Sequence, residues 1–179
     1  MDYLVIDIIT TILSVVIGGL IAIYTSNLVN RKMLKKEHTL DLLKKVKELL
    51  SEWSYDVLED SVEFTQCSSI DKYKGYHLSL SLRALINIFE TNPSILMDFK
   101  VEFTEIRNKD IQVQILASKN KEALLVLSEE YGTKDPMIML EKEDVNQILE
   151  EQLSKNTEIF EGAWALIAKI DKHIAEKIL

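Results

Sequence analysis

Carboxylates are the one kind of side chain in this sequence dense enough to do chemistry: Glu59, Asp60 and Glu63, then Glu129 and Glu130, then Glu141, Glu143 and Asp144. Paired carboxylates move protons or hold Mg²⁺ when they converge in a pocket with suitable neighbours. On helices rich in glutamate and lysine they are expected instead to form a solvated face. The three histidines, His38, His77 and His173, have none of the spacings to one another or to a cysteine that a metal site requires, and they read as surface or capping residues. The single cysteine, Cys67, cannot close an internal disulfide, which fits a reducing compartment, and it reads as a small buried apolar side chain. No G-x-x-x-x-G-K-[ST], G-x-G-x-x-G or G-x-S-x-G motif occurs, so recognisable phosphate cradles and nucleophile elbows are missing. The sequence therefore predicts a protein that is not an enzyme and uses no cofactor or metal. A tethered enzyme with an unrecognised site is the alternative.

One ionisable residue sits where it is costly. Leu4 to Val29 contains no lysine or arginine, and Asp7 lies inside that run. Asp7, Thr11, Ser14, Gly18, Ala22 and Thr25 are spaced at four, three, four, four and three residues, so on an α-helix they form one line of small and polar side chains. The other sides are mostly Ile, Leu and Val. In lipid, helices associate through close packing at small residues and hydrogen bonds between polar ones. Residues 1–30 are thus expected to form a transmembrane anchor, with Thr11, Ser14, Gly18, Ala22 and Thr25 as the interface of a homo-oligomer. Asp7 is expected either to lie shallow, within reach of water, or to line a polar entrance built by several copies. A cleaved signal peptide fits poorly, because Asp2 stands in place of a positive n-region and no A-x-A-like site follows Ile23. The buried central helix of a soluble fold is the other reading of the run.

Charge is distributed in blocks. Residues 1–30 carry two acids and no bases, and residues 51–179 carry 24 acids against 14 bases. Between them lies a basic block of Arg31, Lys32, Lys35, Lys36, Lys44, Lys45 and Lys47. Bases just past a span stay on the cytoplasmic side, which predicts an outer N-terminus, a cytosolic domain over 31–179, and a single-pass protein of the cell membrane. Arg31, Lys32, Lys35 and Lys36 are placed to meet anionic lipid headgroups. The acidity of the remainder argues against nucleic acid, whose phosphates demand a basic face.

Five glycines and two prolines in 179 residues leave room for long helices and few tight turns. The expected fold is all-α: one spanning helix followed by a cytosolic bundle of about five or six helices. No glycine or proline lies between Gly19 and Gly75, so the first helix is free to continue past the membrane surface, although a break near His38 to Thr39 is equally allowed. Leu43, Val46, Leu50, Trp53 and Val57 mark its packed seam, widened by Leu42, Leu49 and Leu58. Thr65 to Gly75 reads as a loop and Tyr76 to Glu90 as a helix, against a local strand alternation at His77 to Leu82. Thr91, Asn92 and Pro93 should cap and open the next helix, with Leu96, Phe99, Phe103, Ile106 and Val113 inward and Asp110 as the flaw in that pattern. Asn120 is expected to end that helix and open a short one closed by Tyr131 and Gly132. Glu141 to Ser154 should follow as a helix with Val145, Ile148, Leu149 and Leu153 inward. A last helix, capped by Asn156 or Thr157, should face inward through Phe160, Ala163, Ile167, Ile170, Ile174 and Ile178, with Trp164 at its edge.

These features predict a self-associating membrane protein whose cytosolic bundle binds a protein or small-molecule signal. An oligomeric pore gated by the cytosolic domain is the alternative.

Overall fold

The computed structural model describes the backbone of residues 2–76 and 79–178, and their side chains except at 2–15 and 61. The described residues contain helices and no strand, as the composition predicts. The chain divides into two compact units, Met1–Leu42 and Leu43–Leu179. Helix α1 spans Asp2–Gln66 without a break at His38 or Thr39. Over Val16 to His38 every side chain is exposed. Among the described residues no helix is long and apolar enough to cross a membrane. Leu4 to Val15 of the apolar run lie outside the described side chains.

The second unit is a bundle. The last third of α1 buries Leu43, Val46, Leu50, Trp53, Val57 and Phe64 at helical spacing. Helix α2, Leu80–Thr91, starts at Ser79, whose side chain accepts a hydrogen bond from the Leu82 N–H at 3.3 Å. The expected start at Tyr76 is therefore too early: the cap lies three residues on, and Tyr76 belongs to the loop. At the other end the Asn92 amide donates to the Ile88 carbonyl, 3.1 Å. Pro93 stands in a turn instead of a first helical turn, and Leu96 and Phe99 are buried before α3 begins at Lys100.

Helix α3, Lys100–Glu130, passes through Asn120, and α5, Glu143–His173, passes through Asn156 and Thr157, so neither expected boundary exists. In each case the asparagine amide is used sideways, bonding another element instead of capping its own helix. Between them, Tyr131 and Gly132 (φ 63°) close α3 as predicted. Pro136 opens the one-turn α4, Pro136–Met139, capped by Asp135, which accepts from the Met137 N–H at 2.9 Å. Acids at the start of α5 (Glu143, Asp144) and bases at its end (Lys172, His173) suit the helix dipole. Its final turn widens to π geometry over Ile174–Ile178.

Helices α3 and α5 pack closely where Gly162 faces Ile106, and a Cβ at Gly162 would meet the Ile106 side chain at 3.0 Å. Phe89 of α2 stacks on Phe103 of α3 with centroids 4.0 Å apart. Lys47 is paired with Asp171, joining α1 to α5. The expected inward set of α5 holds for Val145, Ala163, Ile167, Ile170, Ile174 and Ile178, but Leu153 is 46% exposed.

Candidate functional site

The second unit carries an acidic cleft, and behind it a buried polar layer. Glu52, Asp56, Glu59, Asp60 and Glu63 recur at three and four residues along α1, which places them on one flank of the helix. Opposite stand Ser79 and Ser81 at the start of α2. With Gln66 and Leu80, the side chains of Asp56, Glu59, Asp60 and Glu63 and these serines line an open cleft of about 550 Å³. The Ser79 hydroxyl donates to Asp56 at 2.5 Å, and that of Ser81 to Glu52 at 2.8 Å. The Glu63 carboxylate accepts the N–H groups of Lys74 and Gly75, at 3.2 and 3.3 Å, and so pins the loop. The expectation of a solvated acidic face holds for Glu59, Glu129, Glu130, Glu141, Glu143 and Asp144, but not for Asp60, which is buried.

Asp110 is fully buried at the heart of the inner layer. It accepts from the Tyr76 hydroxyl at 3.0 Å and from the Gln114 amide at 2.8 Å. The nearby Trp53 indole N–H lowers its pKa a little further without reaching hydrogen-bond geometry. Burial outweighs these donors, and the Asp110 pKa lies above the ordinary carboxylate value. Tyr76 is shifted upward as well, by its own burial and by the facing Asp110. A second group surrounds Gln152: its amide donates to the Gly75 carbonyl at 2.8 Å, and its oxygen accepts from Asn120 at 3.2 Å and stands 3.5 Å from the Tyr73 hydroxyl. Burial pushes the Tyr73 pKa up to about 12. Asn156 donates to the Val57 carbonyl of α1 at 2.9 Å. Gly75 is required where the loop meets these amides, since its φ is 81° and a Cβ would come within 3.1 Å of the Ala117 carbonyl.

Chemically, the inner layer is a fastening for residues 67–76. Asp110 is an acid closed off from solvent, and its partners are uncharged. The outer cleft gathers carboxylates and suits cationic groups. Among the described residues no three His, Cys, Asp or Glu side chains are placed to hold a metal ion.

The expected site residues fall elsewhere. Gly18, Ala22 and Thr25 lie on one line of α1, all exposed, and a Cβ at Gly18 would meet nothing within 4 Å. The Thr25 hydroxyl donates to the Ile21 carbonyl of its own helix, 2.8 Å, which spends its donor. Arg31, Lys32, Lys35 and Lys36 are exposed. The side chains of Asp7, Thr11 and Ser14, and all of His77, lie outside the described residues. His38 is exposed, whereas His173 is half-buried, edge-on to Phe99 and 3.7 Å from Asp98. Cys67 is half-buried, and burial raises its thiol pKa.

Sequence reasoning missed Asp110, Asn120, Gln152 and Asn156. A signal was present: Phe103, Ile106, Asp110, Val113, Ala117, Asn120 and Leu124 alternate steps of three and four, so the two polar residues sit on the packed seam. No protein-family model, curated protein or solved structure matches the chain.

Proposed function

We propose that this chain is a single-pass protein of the cell membrane, not an enzyme, that self-associates through its N-terminal helix and binds a partner or ligand with a cytosolic bundle. The supporting observation is the stretch from Val16 to Val29. It is helical, carries Val16, Ile17, Leu20, Ile21, Ile23, Leu28 and Val29 exposed, and is followed directly by Arg31, Lys32, Lys35 and Lys36. So many apolar side chains on an uncharged helix call for an apolar medium, either a protein core or a bilayer, and these are not in a core. The Thr25 hydroxyl, bonded to its own helix backbone, suits lipid, where no water is available to satisfy it. Bases following the run place the bundle on the cytoplasmic side, with their charges at the level of anionic headgroups. Gly18 and Ala22, on the same line as Asp7, Thr11 and Ser14, form the side along which copies approach one another.

The test has two parts. Membranes from cells expressing the full chain should retain it through alkaline extraction, and recovery as a dissolved monomer without detergent would refute the anchor. Gly18→Leu with Ala22→Leu should lower the oligomer mass measured by light scattering in mild detergent. Because the space at Gly18 is open, such a loss reflects association and not a clash within the chain. An unchanged mass would refute the interface.

A further inference from the structure

Three aromatic rings meet on the outside of the bundle where α1 and α5 run side by side. Tyr55 stands 6.0 Å from Phe160 and 6.4 Å from Trp164, both edge-on, and Phe160 and Trp164 are 6.0 Å apart. Tyr55 is 54% and Trp164 39% exposed. Val62 and Leu153, two turns away from Tyr55 and Phe160 on the same helix faces, are also exposed, at 45% and 46%. Apolar side chains collected in this way cost solubility and mark a contact surface. Large aromatic side chains are the residue types that carry binding energy in such surfaces.

The charge around the patch says what fits it. Glu52 and Glu59 stand one turn before and after Tyr55, and Glu161 one turn before Trp164, all exposed. Among the described residues Glu59 and Glu161 make no ion pair, whereas the nearby lysines are committed: Lys47 to Asp171 and Lys155 to Glu158. An apolar strip bordered by uncompensated carboxylates repels anionic lipid and nucleic acid, and it repels itself, since a symmetric contact between two copies would set carboxylate against carboxylate. It suits a basic amphipathic helix, whose apolar face covers the rings while its lysines or arginines reach the flanking glutamates and the ring faces.

We infer that the Tyr55–Phe160–Trp164 face is a docking site for a basic amphipathic helix of another protein. This does not depend on the reading of the N-terminal helix. The test uses the full chain in mild non-ionic detergent, which serves whether or not the N-terminal helix is an anchor, and a fluorescein-labelled leucine–lysine amphipathic peptide, followed by anisotropy, with a leucine–glutamate peptide as control and protein-free detergent subtracted. The wild type binds the basic peptide and not the acidic one. Tyr55→Ala with Trp164→Ala weakens binding by about tenfold or more while leaving the helical circular dichroism unchanged. Glu59→Lys with Glu161→Lys transfers the preference to the acidic peptide. Equal binding by wild type and the aromatic variant, or a preference unmoved by the charge reversal, overturns the inference. So does a fall in oligomer mass caused by the aromatic variant, which would assign the face to a second copy.

Discussion

The same kinds of apolar side chain have opposite fates in the two units of this chain. In the first, Val16, Ile17, Leu20, Ile21 and Ile23 are exposed on a helix, while in the second Leu43, Val46, Leu50, Trp53 and Val57 are buried. The polar groups differ in parallel. Thr25 satisfies its hydroxyl within its own helix, whereas Asn120, Gln152 and Asn156 reach across to other elements. Burial needs an apolar stripe one face wide and a partner to cover it, and only the second unit offers the alternation of apolar and charged faces that lets helices pair. The exposed stretch of the first unit, Val16 to Val29, has no charged face to set against its apolar residues. Its polar residues are best closed onto its own backbone, while those of a bundle can fix which helices meet and in what register.

The sharpest way to break this contrast is to remove equal side chains from each region. Leu50→Ala, at a site with no exposure, should cost about 2–5 kcal/mol of unfolding free energy, through lost burial and the cavity left behind. Leu20→Ala should stay within about 0.5 kcal/mol. Urea midpoints in mild detergent, followed by circular dichroism, measure both, and equal losses would erase the distinction.

A smaller effect comes from the polar groups. Gln152→Leu leaves the Gly75 carbonyl and the Asn120 amide without the partner they share, and should cost about 2–3 kcal/mol. Thr25→Val removes a hydroxyl that serves only its own helix and should be near neutral, within about 0.5 kcal/mol. If the two substitutions cost the same by the same melts, the cross-helix amides are not fastening the loop.

The smallest effect is a slope. Asp110 has its folded pKa raised by burial, so below the usual carboxylate value of about 3.9 it is protonated both folded and unfolded. As pH rises from there through the raised folded value, the unfolded chain gives up its proton first. The stability that Asp110 contributes is therefore present at low pH and is lost over that interval. The difference between wild type and Asp110→Asn, taken from urea midpoints across that range, should move against the wild type as pH rises. A flat difference would mean that the carboxylate titrates normally.

Much of the bundle is legible as pattern. The seam of α1, the closing Tyr131 and Gly132, and the isoleucine face of α5 all follow from periodicity and glycine placement. The departures share one cause. Judged by what such residues do locally, Asp110, Asn120 and Asn156 are a flaw, a terminator and a cap. Each is instead a seam residue whose polar side chain is satisfied by a distant segment. Tyr76 likewise falls outside the helix its neighbours suggest, because no local signal tells that its hydroxyl is held by Asp110, 34 positions further along the chain.

By itself, the sequence determined the helical class, the apolar and basic order of the first forty residues and the faces of the main helices, because these depend on spacing within a segment and on charge along it. Only the tertiary structure decided which polar residues lie inside, which carboxylates border a cleft, and that Tyr55, Phe160 and Trp164 share one surface. Those outcomes depend on what another helix brings to the same place, and separation along the chain carries no information about that.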